Sequence, residues 1–435
     1  MIRTVCQSDS QIPFYRGVFV TSEICLMNRL GVVLAADSAT TVTYWNGNAD
    51  EVRYFKGANK IFQLTDHHPV GIMIYNSVDA LHVPWEVVIK EFRRTLGSKS
   101  FNSVAGYADE FLTFINNDQR IFPAEARRAE FEDVLNRSIL KVLVNFREDH
   151  KAGKVADLRA YFDNLLQNGL VDQDKVKFNL QNISSLRQIF GDATQEKFNE
   201  WLGIIELTFE PLSEPEIDII LGIALEDIKS ISPSTGLVMA GFGDHSVFPE
   251  VVHLKNCQFW YDHFCESERV LEGTSYDVPA IISGYAQTSM IDTLRMGFSD
   301  DVLGSIARDS TKHCDALVDS VAASVGGVVS EEDKSAFVGK AVKQIIDGLF
   351  DYARAQHYVP LRRVVGVLPI DEMSTLAETL INLQSLKEKV TKPSETVGGP
   401  VDVAAITRSE GLVWVKRKHY FSPEINSRFF ERRGR

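Results

Sequence analysis

The sequence predicts an α+β fold, a four-layer αββα sandwich in which two antiparallel sheets pack face to face between layers of helices. Residues 21–37 have the pattern of a β-hairpin, and residues 236–255 echo the segment 31–37, so two related hairpins are expected to supply the sheets. The helices expected after Ser77 and Ile370 have apolar faces, and such faces need an apolar surface to cover them. We therefore expect the hairpin strands to be buried.

The first hairpin ends in a carboxylate. An alternating apolar pattern begins at Ile24, a turn is expected at 28–31, and the apolar run 32–36 is too short for a helix. Asp37 follows this run directly, so it is expected to be partly buried and to require a partner. Lys60 is the partner that the sequence offers.

Five segments of the chain resemble, in the same order, segments of a known protein family. They are Thr21 to Thr41, Lys56 to Phe62, Pro69 to Asp79, Gly236 to Lys255, and Pro369 to Trp414. Together they resemble proteasome β-subunits and their bacterial HslV-type relatives, which are N-terminal-nucleophile (Ntn) hydrolases. In that family an N-terminal threonine lies sixteen residues before an aspartate, and Thr21 stands at this spacing from Asp37. The resemblance implies the αββα fold, a homo-oligomer built as a ring or stack, and a threonine-type endopeptidase.

The resemblance also implies two sets of site residues. The implied catalytic residues are Thr21, Asp37, Lys60 and Ser283. The implied substrate-binding residues are Thr41, Met73, Tyr75 and Ser77. It implies as partners a peptide or unfolded protein substrate and an ATPase unfoldase.

The chemistry of such a site can be derived from its residue types. A threonine hydroxyl is a weak nucleophile at neutral pH, and a free α-amine on the same residue, with a pKa of about 7.7–8.0, can act as its base. The Lys60 ammonium would lower the pKa of both groups, Asp37 would hold that lysine, and a backbone N–H near Tyr75 would stabilise the oxyanion. The amine of Thr21 is free only if residues 1–20 are removed. We therefore predict a propeptide at 1–20 that the chain cleaves by itself.

Two function classes stay open. The first is the threonine peptidase, and the second is a catalytically inactive relative that serves as an assembly or binding scaffold. Several positions depart from the family pattern: Val20 replaces the usual glycine, and Tyr75, Ser394 and Val397 replace supporting residues. Residues 14–27 could also run as one long strand. A mature N-terminus at the threonine would separate the two classes.

The chain is longer than the matched segments require. We predict an N-terminal extension or propeptide at 1–20 and one domain at 21–435, with helical inserts at about 97–230 and 300–360. A separate helical domain is the alternative. Helical spacing of apolar residues predicts helices at 124–146, 155–166, 217–228 and 334–356.

Composition excludes several function classes. The chain has 44% hydrophobic and 24% charged residues, and no apolar run approaches the roughly 20 residues that span a bilayer. A net charge of −13 argues against nucleic acid as the main partner. The N-terminus lacks the pattern of a secretory signal, so we predict a cytoplasmic protein without a membrane partner. No cofactor or metal is expected, because the five cysteines show no metal-binding spacing and no nucleotide-binding loop is present.

Overall fold

The computed structural model describes residues 21–45, 50–167, 181–391, 398–428 and 431. Residues 1–20, which hold the predicted propeptide and Val20, lie outside the described residues, as do Ser394 and Val397. The described chain has an α+β fold, which confirms that class. No helix in the described ranges is long and apolar enough to cross a membrane.

Antiparallel strands form the sheets. In chain order they are β1 Ser22–Asn28, β2 Gly31–Ala36, β3 Ala39–Trp45, β4 Asp50–Lys56, β5 Ile61–Gln63, β6 Val70–Asn76, β7 Asp79–Ala80, β8 Val83–Pro84, β9 Thr235–Gly241, β10 Glu250–Trp260, β11 His263–Cys265, β12 Glu268–Gly273, β13 Ala280–Ala286, β14 Asp402–Thr407 and β15 Gly411–Lys416. Both predicted hairpins are present, as β1–β2 and β9–β10.

The helices lie between the strand segments. In chain order they are α1 Trp85–Leu96, α2 Val104–Asn117, α3 Ala124–Lys151, α4 Leu158–Gln167, α5 Gln181–Ile204, α6 Glu214–Ile231, α7 Ser289–Met296, α8 Asp300–Ser324, α9 Glu331–Ala353, α10 Val359–Val365 and α11 Ile370–Thr391. The four helices predicted from apolar spacing are all present, and α3 extends five residues beyond its predicted end at 146.

Two sheets carry the first and second hairpins. The first has the strand order β13-β1-β2-β14-β15, and the second runs β11-β10-β9-β6-β5 with β12 also paired to β10. Strand β2 lies in the middle of the first sheet and is buried along its whole length. A strand covered on both faces has no polar side, which explains its continuous apolar sequence.

Alternation along β1 divides its side chains between two apolar clusters. Cys25 and Met27 pack with residues of the second sheet, such as Met73 and Val238. Ile24 and its alternate neighbours pack instead on helices α7, α10 and α11. The opposite face of the second sheet packs on α1 and α2 in a third cluster. The strand period of two therefore gives each sheet two covered faces.

Two helical segments lie outside these contacts. Helices α3 to α6 form a separate apolar cluster with aromatic members that include Phe131, Phe162 and Phe198. Helices α8 and α9 contact each other as a hairpin, in which Val338 and Ala353 are the buried members among the described residues. The remaining apolar side chains of that hairpin are partly or fully exposed.

Candidate active site

Asp37 follows β2 and is the most heavily bonded carboxylate of the site. Its Oδ1 accepts hydrogen bonds from Lys60 Nζ at 2.5 Å and from the backbone N–H of Ser22 at 3.2 Å. Its Oδ2 accepts from the backbone N–H groups of Ala39 at 3.3 Å and Gly398 at 2.8 Å. Because both oxygens are occupied by two donors each, the carboxylate is fixed in place.

The Gly398-Gly399 turn supplies one of those donors. Gly398 has φ of 148° and Gly399 has φ of 82°, which are backbone conformations that favour glycine. The turn also accepts a hydrogen bond at the Gly398 carbonyl from the N–H of Ser38, at 3.3 Å. The sequence analysis did not predict the contact of this turn with Asp37.

Lys60 lies one residue before β5, and its side chain is only 2% exposed. Its ammonium contacts two carboxylates, Asp37 at 2.5 Å and Oε1 of Glu23 at 3.2 Å. Lysine is almost never fully buried unless it is paired, and here two carboxylates flank it. The structure thus brings Lys60 and Asp37 into direct contact.

Glu23 is a member of this cluster that the sequence analysis missed. It lies two residues after Thr21, so both side chains face the same side of the chain as β1 begins. Thr21 Oγ1 donates a hydrogen bond to Glu23 Oε2 at 3.1 Å, and both residues are buried. The missed signal was a carboxylate directly before the apolar run 24–27 of a strand that is buried along its whole length.

The charge balance of the cluster raises the pKa of Glu23 to about 7. Burial is the largest cause, since it disfavours the charged form. The Lys60 ammonium acts in the opposite direction, and the Asp37 carboxylate raises the pKa further. Two buried carboxylates share one ammonium, so the cluster can hold a proton close to neutral pH.

The backbone at Thr21 is fixed by the neighbouring strand. The Thr21 carbonyl accepts from the N–H of Gln287 at 2.9 Å, and Ser22 Oγ donates to the Gln287 carbonyl at 3.0 Å. Gln287 follows β13 directly, and the β1–β13 register places it beside Thr21. The sequence analysis did not single out Gln287.

Ser283 is not brought to the cluster. It pairs with Cys25 in the β1–β13 register, four residues along from Thr21, or roughly 13 Å at the usual strand rise. Its hydroxyl donates to Glu272 at 3.4 Å. The expectation placed Ser283 in the catalytic set, but the register gives the position beside Thr21 to Gln287.

The predicted substrate-binding residues are distributed over two sheets. Met73 is buried between the two large sheets, and Ser77, just after β6, donates its hydroxyl to the Asp79 carbonyl at 3.0 Å. Thr41 lies in β3, where it pairs with Tyr54 of β4 in a separate two-stranded sheet. Met73 thus lies in the middle of β6, Ser77 follows the same strand, and Thr41 lies on another element.

Tyr75, also on β6, closes one side of the space between the sheets. Its ring stacks on Tyr285 with centroids 5.8 Å apart, and its hydroxyl lies 2.7 Å from Nε2 of His253. Burial lowers the pKa of His253 to about 4, so the imidazole is neutral at physiological pH. Burial also raises the pKa of Tyr75, to which the nearby Glu23 carboxylate contributes. The pair is thus held as a neutral hydrogen bond.

Gly236 makes room for the Tyr75 ring, so we expect Gly236→Ala to destabilise the protein. A Cβ at this position would lie 1.9 Å from the ring atoms of Tyr75. Moving the ring would break its contacts with His253 and Tyr285, so urea unfolding should show a loss of about 1–3 kcal/mol. Gly57→Ala is the matched control, because nothing lies within 4 Å of its added methyl group.

A Tyr75→Ala background gives the second control for this prediction. Without the ring, the added methyl group at Gly236 has space, so the further loss in unfolding free energy should nearly vanish. Equal unfolding free energies for Gly236→Ala and Gly57→Ala would contradict the placement of Tyr75.

No protein-family model matches the chain, and no curated protein matches it. Among solved structures, the chain is similar to the Anbu (Gly-1) mutant from Hyphomicrobium sp. strain MC1. The two share 8% sequence identity, with 95% of this chain and 95% of that chain covered, and the TM-score is 0.30. A TM-score this low does not support an inference about the fold or the function of this chain.

These comparisons correct the family assignment made from the sequence. The five segments indicated a member of the proteasome β-subunit and HslV-type family, and that assignment is wrong, because no family model and no curated protein matches the chain. The site must therefore be interpreted from its own geometry.

Proposed function

We propose that this chain is a threonine peptidase that hydrolyses peptide bonds through Thr21 after residues 1–20 are removed. The observation that carries the proposal is the buried series of contacts from the Thr21 hydroxyl through Glu23 and Lys60 to Asp37. Burying three ionisable groups at one strand end costs solvation free energy. A buried cluster in which one group has a strongly raised pKa, as Glu23 has here, is typical of functional sites.

Each group has a role in this proposal. The hydroxyl of Thr21 attacks the carbonyl carbon of the substrate, and the freed α-amine of the same residue accepts its proton. The Lys60 ammonium lowers the pKa of these groups, and Asp37 holds the ammonium at 2.5 Å. A backbone N–H near Tyr75 donates to the oxyanion.

We propose that the site lies in a four-layer αββα sandwich. Three apolar clusters support this arrangement: one joins the two sheets, and one joins each sheet to helices. We further propose one domain at 21–435 with helical inserts at about 97–230 and 300–360. The separate cluster of α3 to α6 supports the first insert, and the α8–α9 hairpin supports the second.

The proposed assembly is a homo-oligomer, a ring or stack that encloses the site, with a peptide or unfolded protein as substrate and an ATPase unfoldase as partner. The exposed apolar side chains of the α8–α9 hairpin support an assembly. Leu317 is 63% exposed, Val321 53% and Phe337 60%. Apolar surface of this kind is commonly covered by another subunit.

We expect light scattering at micromolar concentration to give a mass above that of one chain. Replacing Leu317 and Val321 by glutamate should lower that mass, because burying charge in an apolar contact is unfavourable. Val390→Glu is the control, since Val390 is 72% exposed on α11, outside the hairpin. A monomeric wild-type protein would contradict the oligomer and favour a scaffold function.

The second candidate function is a catalytically inactive binding scaffold. The position of Tyr75 favours it, because its ring stacks on Tyr285, the β13 partner of Glu23, and so fills space between the sheets close to the cluster. In that case the buried ion pairs would only stabilise the end of the sheet.

Incubation of the purified protein with fluorogenic peptide amides and with a denatured protein separates the two candidates. The peptidase should hydrolyse both, and a peptide-based electrophile should label the tryptic fragment that begins at Thr21. A folded wild-type protein that neither hydrolyses these substrates nor takes up the label would rule out the peptidase and favour the scaffold function.

A further inference from the structure

We propose that Glu23 is the general base that accepts the proton of the Thr21 hydroxyl when the chain cleaves itself between Val20 and Thr21. This inference rests on the proposed function, because it concerns the step that would free the Thr21 amine. It assigns a catalytic residue that the sequence analysis did not consider.

The need for such a base follows from the state of the chain before cleavage. The nitrogen of Thr21 is then an amide, which cannot accept a proton near neutral pH, so the base must be another group within hydrogen-bond reach. Glu23 Oε2 accepts from the Thr21 hydroxyl at 3.1 Å. Lys60 as an ammonium has donors only, and both oxygens of Asp37 already accept from two donors each.

The step balances as follows. The Thr21 oxygen bonds to the carbonyl carbon of Val20, and its proton passes to Glu23. The carbon–nitrogen bond of the Val20–Thr21 peptide then breaks, and Glu23 returns the proton to the leaving nitrogen, which leaves an ester. Water hydrolyses the ester, so residues 1–20 depart as a carboxylic acid and Thr21 gains a free amine and its hydroxyl.

The charges around Glu23 suit this role. The groups that face it are Thr21, Asp37 and Lys60 in direct or near contact, with Tyr285 on the neighbouring strand β13 and Tyr75 on β6 of the second sheet. Burial holds the pKa of Glu23 at about 7, so a large fraction is ionised at neutral pH and can accept a proton.

A pulse of cell-free synthesis followed by intact-mass measurement gives the rate at which residues 1–20 are lost. In wild-type protein we expect this rate to rise with pH, with a midpoint near 7, because only the ionised form of Glu23 accepts the proton. In Glu23→Gln the cleavage should be at least about 100-fold slower and lose that midpoint. Glu132→Gln, at a half-exposed site on α3, should behave as the wild type does.

Melting temperatures establish that the variant folds. The raised pKa of Glu23 makes its ionised form unfavourable in the folded chain, so stability from this group is present at low pH and is lost as pH rises toward 7. Glu23→Gln removes this titration, and we expect it to melt higher than the wild type at pH 8. If the variant failed to fold, the pH dependence of the wild-type rate would still test the proposal.

Three results would overturn the inference. Cleavage of Glu23→Gln within about threefold of the wild-type rate would exclude Glu23 as the base and leave the proposed function intact. A wild-type rate that is flat between pH 5 and 9 would do the same. A folded wild-type protein that never loses residues 1–20 would instead refute the proposed function, and with it this inference.

Discussion

Thr21→Ala should abolish peptide hydrolysis and keep residues 1–20 attached to the chain. The substitution removes the hydroxyl that is proposed to attack both the substrate and the Val20–Thr21 bond, so a fall of more than about 10⁴-fold in kcat/KM is expected. The change in stability should be small, because only the hydrogen bond to Glu23 at 3.1 Å is lost, at about 1 kcal/mol. Intact mass and a fluorogenic peptide assay measure both effects.

Thr194→Ala is the matched control for this variant. Thr194 is also fully buried, and its hydroxyl donates to the Phe190 carbonyl at 2.7 Å inside the helical cluster of α3 to α6. It loses the same kind of group from a site remote from the proposed chemistry, so its hydrolysis should equal that of the wild type. Hydrolysis by Thr21→Ala at the wild-type rate would rule out Thr21 as the nucleophile.

Lys60→Met should lower hydrolysis by about 10²- to 10⁴-fold, because the nucleophile and its base lose the ammonium that tunes them. Methionine preserves most of the side-chain volume, so the loss can be assigned to charge. Lys141→Met is the control, since Lys141 also pairs with a carboxylate, Asp227 at 2.6 Å, but on helix α3. Wild-type activity in Lys60→Met would contradict the proposed role.

The same variant should be destabilised in a pH-dependent way. Removing the ammonium leaves Glu23 and Asp37 as buried carboxylates without their cation, which should cost about 3–5 kcal/mol. The Lys60 charge lowers the pKa of Glu23, so in Lys60→Met that pKa rises above about 7. Glu23 is then protonated, and therefore neutral, to a greater extent at pH 6 than at pH 8. The loss measured by urea unfolding should therefore be smaller at pH 6 than at pH 8.

The double variant Lys60→Met with Glu23→Gln separates stability from activity. It removes one positive and one negative charge, so the buried cluster keeps the net charge of the wild type. Stability should recover at pH 8, whereas hydrolysis should stay low, because the lysine is absent and Glu23→Gln also slows the release of the Thr21 amine. Recovery of both would contradict the proposed roles of Lys60 in hydrolysis and of Glu23 in self-cleavage.

The local elements of the fold could be predicted from the sequence. The period-two pattern at Ile24 and the apolar run 32–36 predicted β1 and β2, and helical spacing predicted α3 from its first residue, Ala124. These signals are local, since a strand or helix face is set by neighbouring residues. Helix ends are set partly by tertiary contacts, which explains the longer α3.

The composition of the site was harder to predict, because it depends on pairing between distant segments. Glu23 is buried because β13 lies beside β1 and pairs Tyr285 with it, more than 250 residues later in the chain. A glutamate in a strand ordinarily indicates an exposed face. The same register places Gln287, and not Ser283, beside Thr21. A register shift of a few residues between distant strands leaves no local trace in the sequence.

The intact mass of the purified wild-type protein tests the central claim most directly, namely that Thr21 becomes an N-terminal nucleophile. The account predicts a mass lower by residues 1–20, an N-terminus at Thr21, and one added mass of a peptide-based electrophile on that residue. A folded protein that retains Met1 and takes up no electrophile at Thr21 would contradict it.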